Sequence, residues 1–187
     1  DVNNAATTSA VSNQVVRSST TLTLAAGNPT VVVIGQPAVI GYVVAGGVAP
    51  YSGTVTVTAT PGVGAPVTCT ATGTAGSCTL SGLLRTSYTI SASYAGDGDD
   101  APGSTASSQT LVVNRSNTNT ALSIAPPVSS PFGQNFTLTA VVTAVAPGSG
   151  VPSGNVVFLR DGESIADVVL DGSGSASYTV VGQAGGS

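Results

Sequence analysis

Apolar and polar residues alternate along several short segments of the chain. From Gly53 to Thr60, valine and alanine alternate with threonine, and from Tyr88 to Tyr94, apolar residues alternate with threonine and serine. A period of two places every second side chain on one face, which is typical of a half-buried β-strand. No window of about 11 residues has a helical period. The inward positions predicted for a third segment and its later counterpart are Ala38, Ile40, Tyr42 and Val44, and Phe136, Leu138, Ala140 and Val142.

Turn residues separate these segments and predict further strands. Asp161-Gly162 follows an alternating run and is a hairpin signal. The other predicted strands are Thr20 to Leu24, Pro66 to Thr72 paired as a hairpin with Ser77 to Leu80, and a last strand over about Thr105 to Val113. Short strands at this spacing predict an all-β chain that folds as β-sandwich modules.

Short sequence pairs recur in the same order along the chain. Arg17-Ser18, Gly35-Gln36 and Gly76-Ser77 each reappear 98 positions later, and Ser52-Gly53 reappears 101 positions later. Recurrence at a fixed spacing indicates tandem copies of one structural unit. Identical residues at these spacings also predict that Ala176 replaces Cys78 in the second copy, and that Cys69 falls near Asp167.

The repeat predicts three parts of the chain. Residues 1–17 correspond to the last strand of a preceding module, residues 18–114 to a complete module, and residues 115–187 to a module without its last two strands. We therefore expect a longer polypeptide that continues the array. Strand donation by a neighbouring chain is the alternative, because an incomplete sandwich leaves an unpaired edge.

Charge is scarce in this sequence, and its distribution excludes one class of function. Charged residues make up 6% of the chain, the net charge is −4, and the only basic residues are Arg17, Arg85, Arg115 and Arg160. Nucleic-acid binding needs a basic stripe, so we expect no such partner. The longest apolar run, Pro37 to Tyr51, is interrupted by glycines and is shorter than the roughly 20 residues of a membrane span. A low-charge, hydroxyl-rich chain is typical of the extracellular space or the cell surface.

Cys69 and Cys78 are the only cysteines, and they fall on the two strands of the predicted second hairpin. A zinc site would need further ligands, and histidine is absent. A nucleophilic cysteine would lack a histidine partner. The sequence therefore predicts a Cys69–Cys78 disulfide and an oxidising compartment.

Few other side chains could carry chemistry. Asp97, Asp99 and Asp100 cluster at one predicted hairpin tip and could hold Ca²⁺, or they could be solvated turn residues. Arg160, Asp161 and Glu163 surround another turn and are interpreted as surface residues rather than an acid–base pair. Tyr51 lies in a predicted loop and is the best candidate for an exposed sugar-stacking ring.

Four motifs together resemble the bacterial Ig-like repeat domains that occur in tandem in large surface and secreted proteins. The motifs are the Thr-Thr-Leu-Thr of Thr20 to Thr23, the two Gly-Gln pairs, the Gly-Thr-Val-Thr-Val of Gly53 to Val57, and the Tyr-Ala-Gly-Asp of Tyr94 to Asp97. The resemblance implies tandem immunoglobulin-like β-sandwich modules that act as spacers, stalks or filament-forming units and carry no catalytic residues.

The resemblance leaves three functional hypotheses. The first is a structural or adhesive segment without enzymatic activity or cofactor, whose partners are neighbouring Ig-like modules of the same or identical chains. The second is an adhesin module that binds a glycan or a receptor. The third is an accessory region of a large secreted hydrolase.

Overall fold

The computed structural model describes residues 15–105, 107–126 and 133–182. This part of the chain is all-β, with one 3₁₀ turn at Gly73–Ala75. The first strands are β1 (Thr21–Leu24), β2 (Val31–Val33), β3 (Ala38–Ala45), β4 (Thr54–Pro61), β5 (Val67–Thr72), β6 (Ser77–Leu80), β7 (Ser87–Tyr94), β8 (Gly103–Ser104) and β9 (Gln109–Asn114). The later strands are β10 (Thr118–Ala125), β11 (Phe136–Ala144), β12 (Asn155–Arg160), β13 (Glu163–Val169) and β14 (Ser175–Val180).

Residues 18–114, here called the first unit, form two sheets that share one core. One sheet has the order β1-β3-β6, and the other has the order β2-β9-β7-β4-β5 with β8 attached to β7. All pairings are antiparallel except that of β2 with β9. The first unit is therefore a β-sandwich whose two sheets are closed by side chains from both inner faces.

Alternation along the central strands explains this core. Val55, Val57 and Ala59 of β4 are completely buried, while the threonines between them lie on the outer face. The burial of β3 and β7 alternates in the same way. The predicted inward faces of these three strands are confirmed.

Strands β5 and β6 do not form the predicted hairpin. β5 pairs with β4 in the larger sheet, whereas β6 pairs with β3 in the smaller sheet. The 3₁₀ turn between them therefore carries the chain from one sheet to the other. Alternation fixed which side chains face inward, but it did not determine the neighbour of each strand.

The predicted disulfide between Cys69 and Cys78 is present, with the two Cα atoms 6.0 Å apart. Because Cys69 lies on β5 and Cys78 on β6, the bond joins the two sheets at one edge of the sandwich. Its function is thus inter-sheet closure rather than the stabilisation of a hairpin.

Residues 115–182, here called the second unit, contain a three-stranded sheet, β10-β11-β14, and the hairpin β12-β13. Leu138, Ala140, Phe158, Ala176 and Val180 form their shared core. The pairing of Leu122 with Ala140 repeats that of Leu24 with Tyr42, 98 positions earlier.

Sheet register corrects the predicted counterpart of Cys78. Ile40 pairs with Cys78, and Leu138, 98 positions after Ile40, pairs with Tyr178 rather than with Ala176. Tyr178, which takes the register position of Cys78, stacks on Phe158 of β12 with ring centroids 6.2 Å apart. The matching Gly-Ser pairs lie at the turn before this strand, and aligning them gave a counterpart of Cys78 that is two residues too early. The pairing within the sheet, rather than the turn, sets the register.

Two other predictions concern the ends of the units. The predicted last strand near Thr105 to Val113 is shorter, since β9 covers Gln109–Asn114 and the separate β8 precedes it. The strand predicted within residues 1–17 lies almost entirely outside the described residues. No helix in the described ranges is long and apolar enough to cross a membrane.

Replacing both cysteines, Cys69→Ala with Cys78→Ala, should lower the free energy of unfolding of the first unit. The loop that the bond closes is short, so the loss should be about 2–3 kcal/mol. Urea denaturation should measure it. A reductant should lower the free energy of unfolding of the unmodified chain by a similar amount and leave that of the double variant unchanged. Equal free energies of unfolding for the double variant and the unmodified chain, both without reductant, would contradict inter-sheet closure.

Candidate functional site

The Tyr94 to Asp97 motif forms a turn at one end of the first unit. Tyr94 is the last residue of β7 and is only 1% exposed. Its hydroxyl donates a hydrogen bond to Asp97 Oδ2 at 2.8 Å and accepts one from the Gly53 amide at 3.3 Å. The motif therefore satisfies a buried tyrosine hydroxyl and joins β7 to the start of β4.

Asp97 accepts hydrogen bonds at both carboxylate oxygens. Besides the Tyr94 hydroxyl, Oδ2 accepts from the amide and the hydroxyl of Ser52, and Oδ1 accepts from the amides of Asp99 and Asp100. The Tyr94 hydrogen bond, followed by these amides, holds the pKa of the Asp97 carboxyl well below its usual range. Asp97 is thus an ionised turn residue whose oxygens are already occupied.

Asp100 is completely buried, although its sequence context predicted a solvated tip. Its Oδ1 accepts a hydrogen bond from the Val48 amide at 2.9 Å, and no described residue donates a hydrogen bond to its Oδ2. A Cβ added to Gly47 would collide with the Asp100 carboxylate, so this site requires glycine. Buried carboxylates are costly, and this one fixes the 46–48 loop against the turn.

The turn also holds the beginning of the first unit. The Ser18 amide donates to the Asp99 carbonyl, and the Ala101 amide donates to the Ser18 carbonyl, both at 2.8 Å. The Thr20 hydroxyl donates to the Ala101 carbonyl at 2.9 Å. The acidic segment thus connects three parts of the chain that are distant in sequence.

The three aspartates do not form a cation cage. Asp97 faces Ser52, Asp100 points into the protein, and Asp99 is exposed. Across the described ranges, no group of three or more Asp, Glu, Cys or His side chains is placed to hold a metal ion. Asp97 and Asp99 fit the turn interpretation, whereas Asp100 is buried and is not a solvated turn residue, and calcium binding stays a prediction.

Tyr51 is half-buried rather than an exposed sugar platform. Its ring packs edge-on against Tyr94 with the centroids 6.5 Å apart, and its carbonyl accepts a hydrogen bond from the Thr74 amide. A Cβ at Gly73 would lie 2.8 Å from the Tyr51 Cβ, which shows how closely the loop is packed. Tyr51 therefore extends the core.

The Asp161-Gly162 hairpin is confirmed. Both residues have positive φ, 52° and 89°, and they connect Arg160 to its register partner Glu163. Asp161 lies on this two-residue turn and Glu163 begins β13, and both side chains are exposed. Their geometry agrees with a surface turn.

Asp171 is an organising residue that sequence reasoning missed. Its Oδ1 accepts hydrogen bonds from the amide and hydroxyl of Ser173 and from the Ser175 amide, at 2.7 to 2.9 Å. The Ser173 hydroxyl is the main reason why the pKa of Asp171 is lowered. The Asp-Gly-Ser sequence before a strand was the available signal, because Asp side chains bond the backbone two residues on.

The described residues also form two concave surfaces. A cleft of about 910 Å³ lies between the units, where it is lined by Arg85 and Arg115 among residues of both. A groove of about 450 Å³ lies within the second unit and is almost entirely apolar. Neither was predicted, because each is built from segments distant in sequence.

Comparison with models of known protein families and with curated proteins found no match to the chain.

Acid should destabilise the first unit through Asp97. A carboxyl whose pKa is lower in the folded state than in the unfolded state stabilises the fold at pH values above its unfolded-state pKa of about 3.9. This stabilisation is lost as the pH falls through the folded-state pKa. Asp97→Asn should lower the melting temperature at pH 7 and weaken its dependence on pH below about pH 4. Thermal melts of both proteins from neutral to acidic pH would measure this.

Asp99→Asn is the matched control, since the Asp99 side chain is exposed and contributes its backbone to the turn. It should retain the acid dependence of the unmodified chain. Coinciding melting curves for the two asparagine variants would refute the assigned role of Asp97.

Proposed function

We propose that the chain is a structural or adhesive segment of a tandem array of immunoglobulin-like modules in a secreted or cell-surface protein. In this function the units act as spacer, stalk or filament elements, and no chemistry is performed. Neighbouring modules of the same or identical chains are the partners.

The joint between the two units is the observation that carries this proposal. β9 ends at Asn114 and β10 begins at Thr118, so the linker is very short. The Ser149 amide donates to the Ile34 carbonyl at 3.3 Å, and the Ser149 hydroxyl donates to the Gly35 carbonyl at 3.0 Å. A short linker with main-chain contacts across it resists bending, as a spacer requires.

Topology and the disulfide support the rest of the proposal. Strands β1, β3 and β6 face a sheet in which β4, β7 and β9 are adjacent, which is the division expected of an immunoglobulin-like sandwich. The disulfide suits an oxidising compartment. Pairing that recurs 98 positions later supports the array.

Substitution at Gly35 should loosen the joint. A Cβ there would collide with Ser149, so Gly35→Ala should broaden the distribution of distances between labels placed on the two units. Small-angle scattering and double electron–electron resonance should show one dominant arrangement for the unmodified chain. A broad distribution in the unmodified chain would contradict a spacer function.

Gly133→Ala is the matched control. Gly133 has the same φ of +81° as Gly35, but no atom of the described residues lies within 4 Å of an added Cβ. In both variants the free energy of unfolding should fall by about 1–2 kcal/mol, because alanine is strained at this φ. Only Gly35→Ala should change the inter-unit distances.

The cleft at the joint favours an adhesin as the second candidate function. Two of the four arginines, Arg85 and Arg115, line it together with the Ser149 to Gly154 loop. Guanidinium groups bind carboxylates in bidentate geometry, so an acidic glycan is the class of ligand that this cleft suits.

Oligogalacturonate is a suitable probe of the cleft. Arg85→Gln and Arg115→Gln should each weaken binding by roughly tenfold, the effect of losing one charge-assisted contact. Arg17→Gln is the control, because Arg17 is exposed and does not line the cleft. Equal binding of oligogalacturonate by all three variants would exclude this site. Equal binding of a methyl-esterified oligosaccharide by the unmodified chain would also exclude it.

A further inference from the structure

The cleft at the joint concentrates positive charge in a chain whose net charge is −4. Arg85 and Arg115 line it, and none of the described acidic residues does. Both arginine side chains are exposed, and no described residue forms an ion pair or a hydrogen bond with either guanidinium group. The cleft therefore complements an anion and leaves both guanidinium groups available to it.

Arg85 belongs to a loop that is fixed to the first unit. On one side of it, the Leu84 amide donates to the Tyr88 hydroxyl at 2.8 Å. On the other side, the Thr86 carbonyl accepts a hydrogen bond from the Val113 amide at 2.9 Å. Because the backbone is bonded on both sides, the Cα atom of Arg85 keeps its position relative to the first unit.

Arg115 lies where the chain bends between the units. The Asn114 carbonyl accepts a hydrogen bond from the Ile34 amide of the first unit at 2.9 Å. The Asn117 carbonyl accepts one from the Val145 amide of the second unit at 2.8 Å. Only Arg115 and the residue after it lie between these two anchors, so a rotation of one unit relative to the other falls on their backbone dihedral angles. This pair of residues is the hinge of the joint.

We propose that an acidic glycan bound in this cleft fixes the joint in one arrangement. One uronate carboxylate pairs with Arg85 on the first unit, and another pairs with Arg115 at the hinge. The Ser149 to Gly154 loop of the second unit forms a further part of the wall, so the bound glycan contacts both units. A ligand that binds one arrangement better than others shifts the population towards it. This inference rests on the cleft-binding function proposed above.

Glycan binding and the geometry of the joint are coupled in both directions. A change that disfavours the bound arrangement must weaken binding by the factor by which binding favours that arrangement, and such factors are typically about 5 to 150. Gly148 offers a change of this kind without lining the cleft. A Cβ added to Gly148 would collide with the Ser116 side chain, so Gly148→Ala displaces the hinge.

The test uses the full 187-residue chain with labels on the two units. Double electron–electron resonance measures their distances with and without oligogalacturonate. A saturating concentration of the oligomer should narrow the distance distribution of the unmodified chain. Monomeric galacturonate carries one carboxylate and should leave the width unchanged, because it cannot bridge two arginines. Arg85→Gln and Arg115→Gln should each abolish the narrowing, even at oligomer concentrations that saturate these variants.

Gly148→Ala tests the coupling from the side of the joint. The free variant should have a broader distance distribution than the unmodified chain and should bind oligogalacturonate at least about fivefold more weakly, as titration calorimetry would measure. Gly172→Ala is the matched control in the same unit, because no atom of the described residues lies within 4 Å of its added Cβ and Gly172 does not line the cleft. It should match the unmodified chain in both measurements.

Three results would overturn the inference. These are saturated binding with an unchanged width, equal narrowing by monomeric galacturonate, and unchanged affinity of Gly148→Ala. Absence of binding would overturn the inference together with the cleft-binding function, whereas binding without narrowing would overturn the inference alone. The spacer function is tested separately, by the distance distribution of the unmodified chain without a ligand.

Discussion

Strand β7 is the element on which the first unit depends. It pairs with β4, β8 and β9, and it buries Tyr88, Ile90, Ala92 and Tyr94 between the sheets. Each tyrosine also uses its hydroxyl at an end of the strand: Tyr88 accepts from the Leu84 amide at 2.8 Å, and Tyr94 donates to Asp97. One strand thus supplies the central pairing, much of the core and the hydrogen bonds that fix two loops, so its loss would expose apolar surface and unpaired backbone together.

The second unit shows how the same framework behaves where no described strand takes the place of β7. β12 keeps its hairpin partner, and Phe158 remains buried because Tyr178 stacks on it. These two aromatic rings pack between the sheet and the hairpin. They cannot cover β10, every residue of which is exposed. Aromatic packing therefore holds the hairpin to the sheet.

Alternation was sufficient to predict β3, β4 and β7 with their inward faces, because the period of two is a local property of a β-strand, but it did not predict the three-residue β2 or the wholly exposed β10. It could not predict that β5 and β6 lie in different sheets, since neighbour choice depends on contacts between distant segments. The cysteine pair was predictable from residue type alone, but its inter-sheet function required the topology. The acidic turn shows the same limit: Asp97 and Asp100 have the same residue type, yet one accepts hydrogen bonds at the surface and the other is buried behind Gly47.

Sheet edges need protection in a chain with so little charge. Charged side chains commonly protect sheet edges from unwanted pairing, and this chain has few of them. In the first unit, the disulfide ties the edge strands β5 and β6 to each other, and the parallel pairing of β2 covers one side of β9. The outer face of β12 differs from that of β4, because exposed Val157 and Leu159 stand where the first unit has Thr56 and Thr58. Outer faces that carry hydroxyl groups limit the association of sheets, so the outer face of β12 is less protected than that of β4.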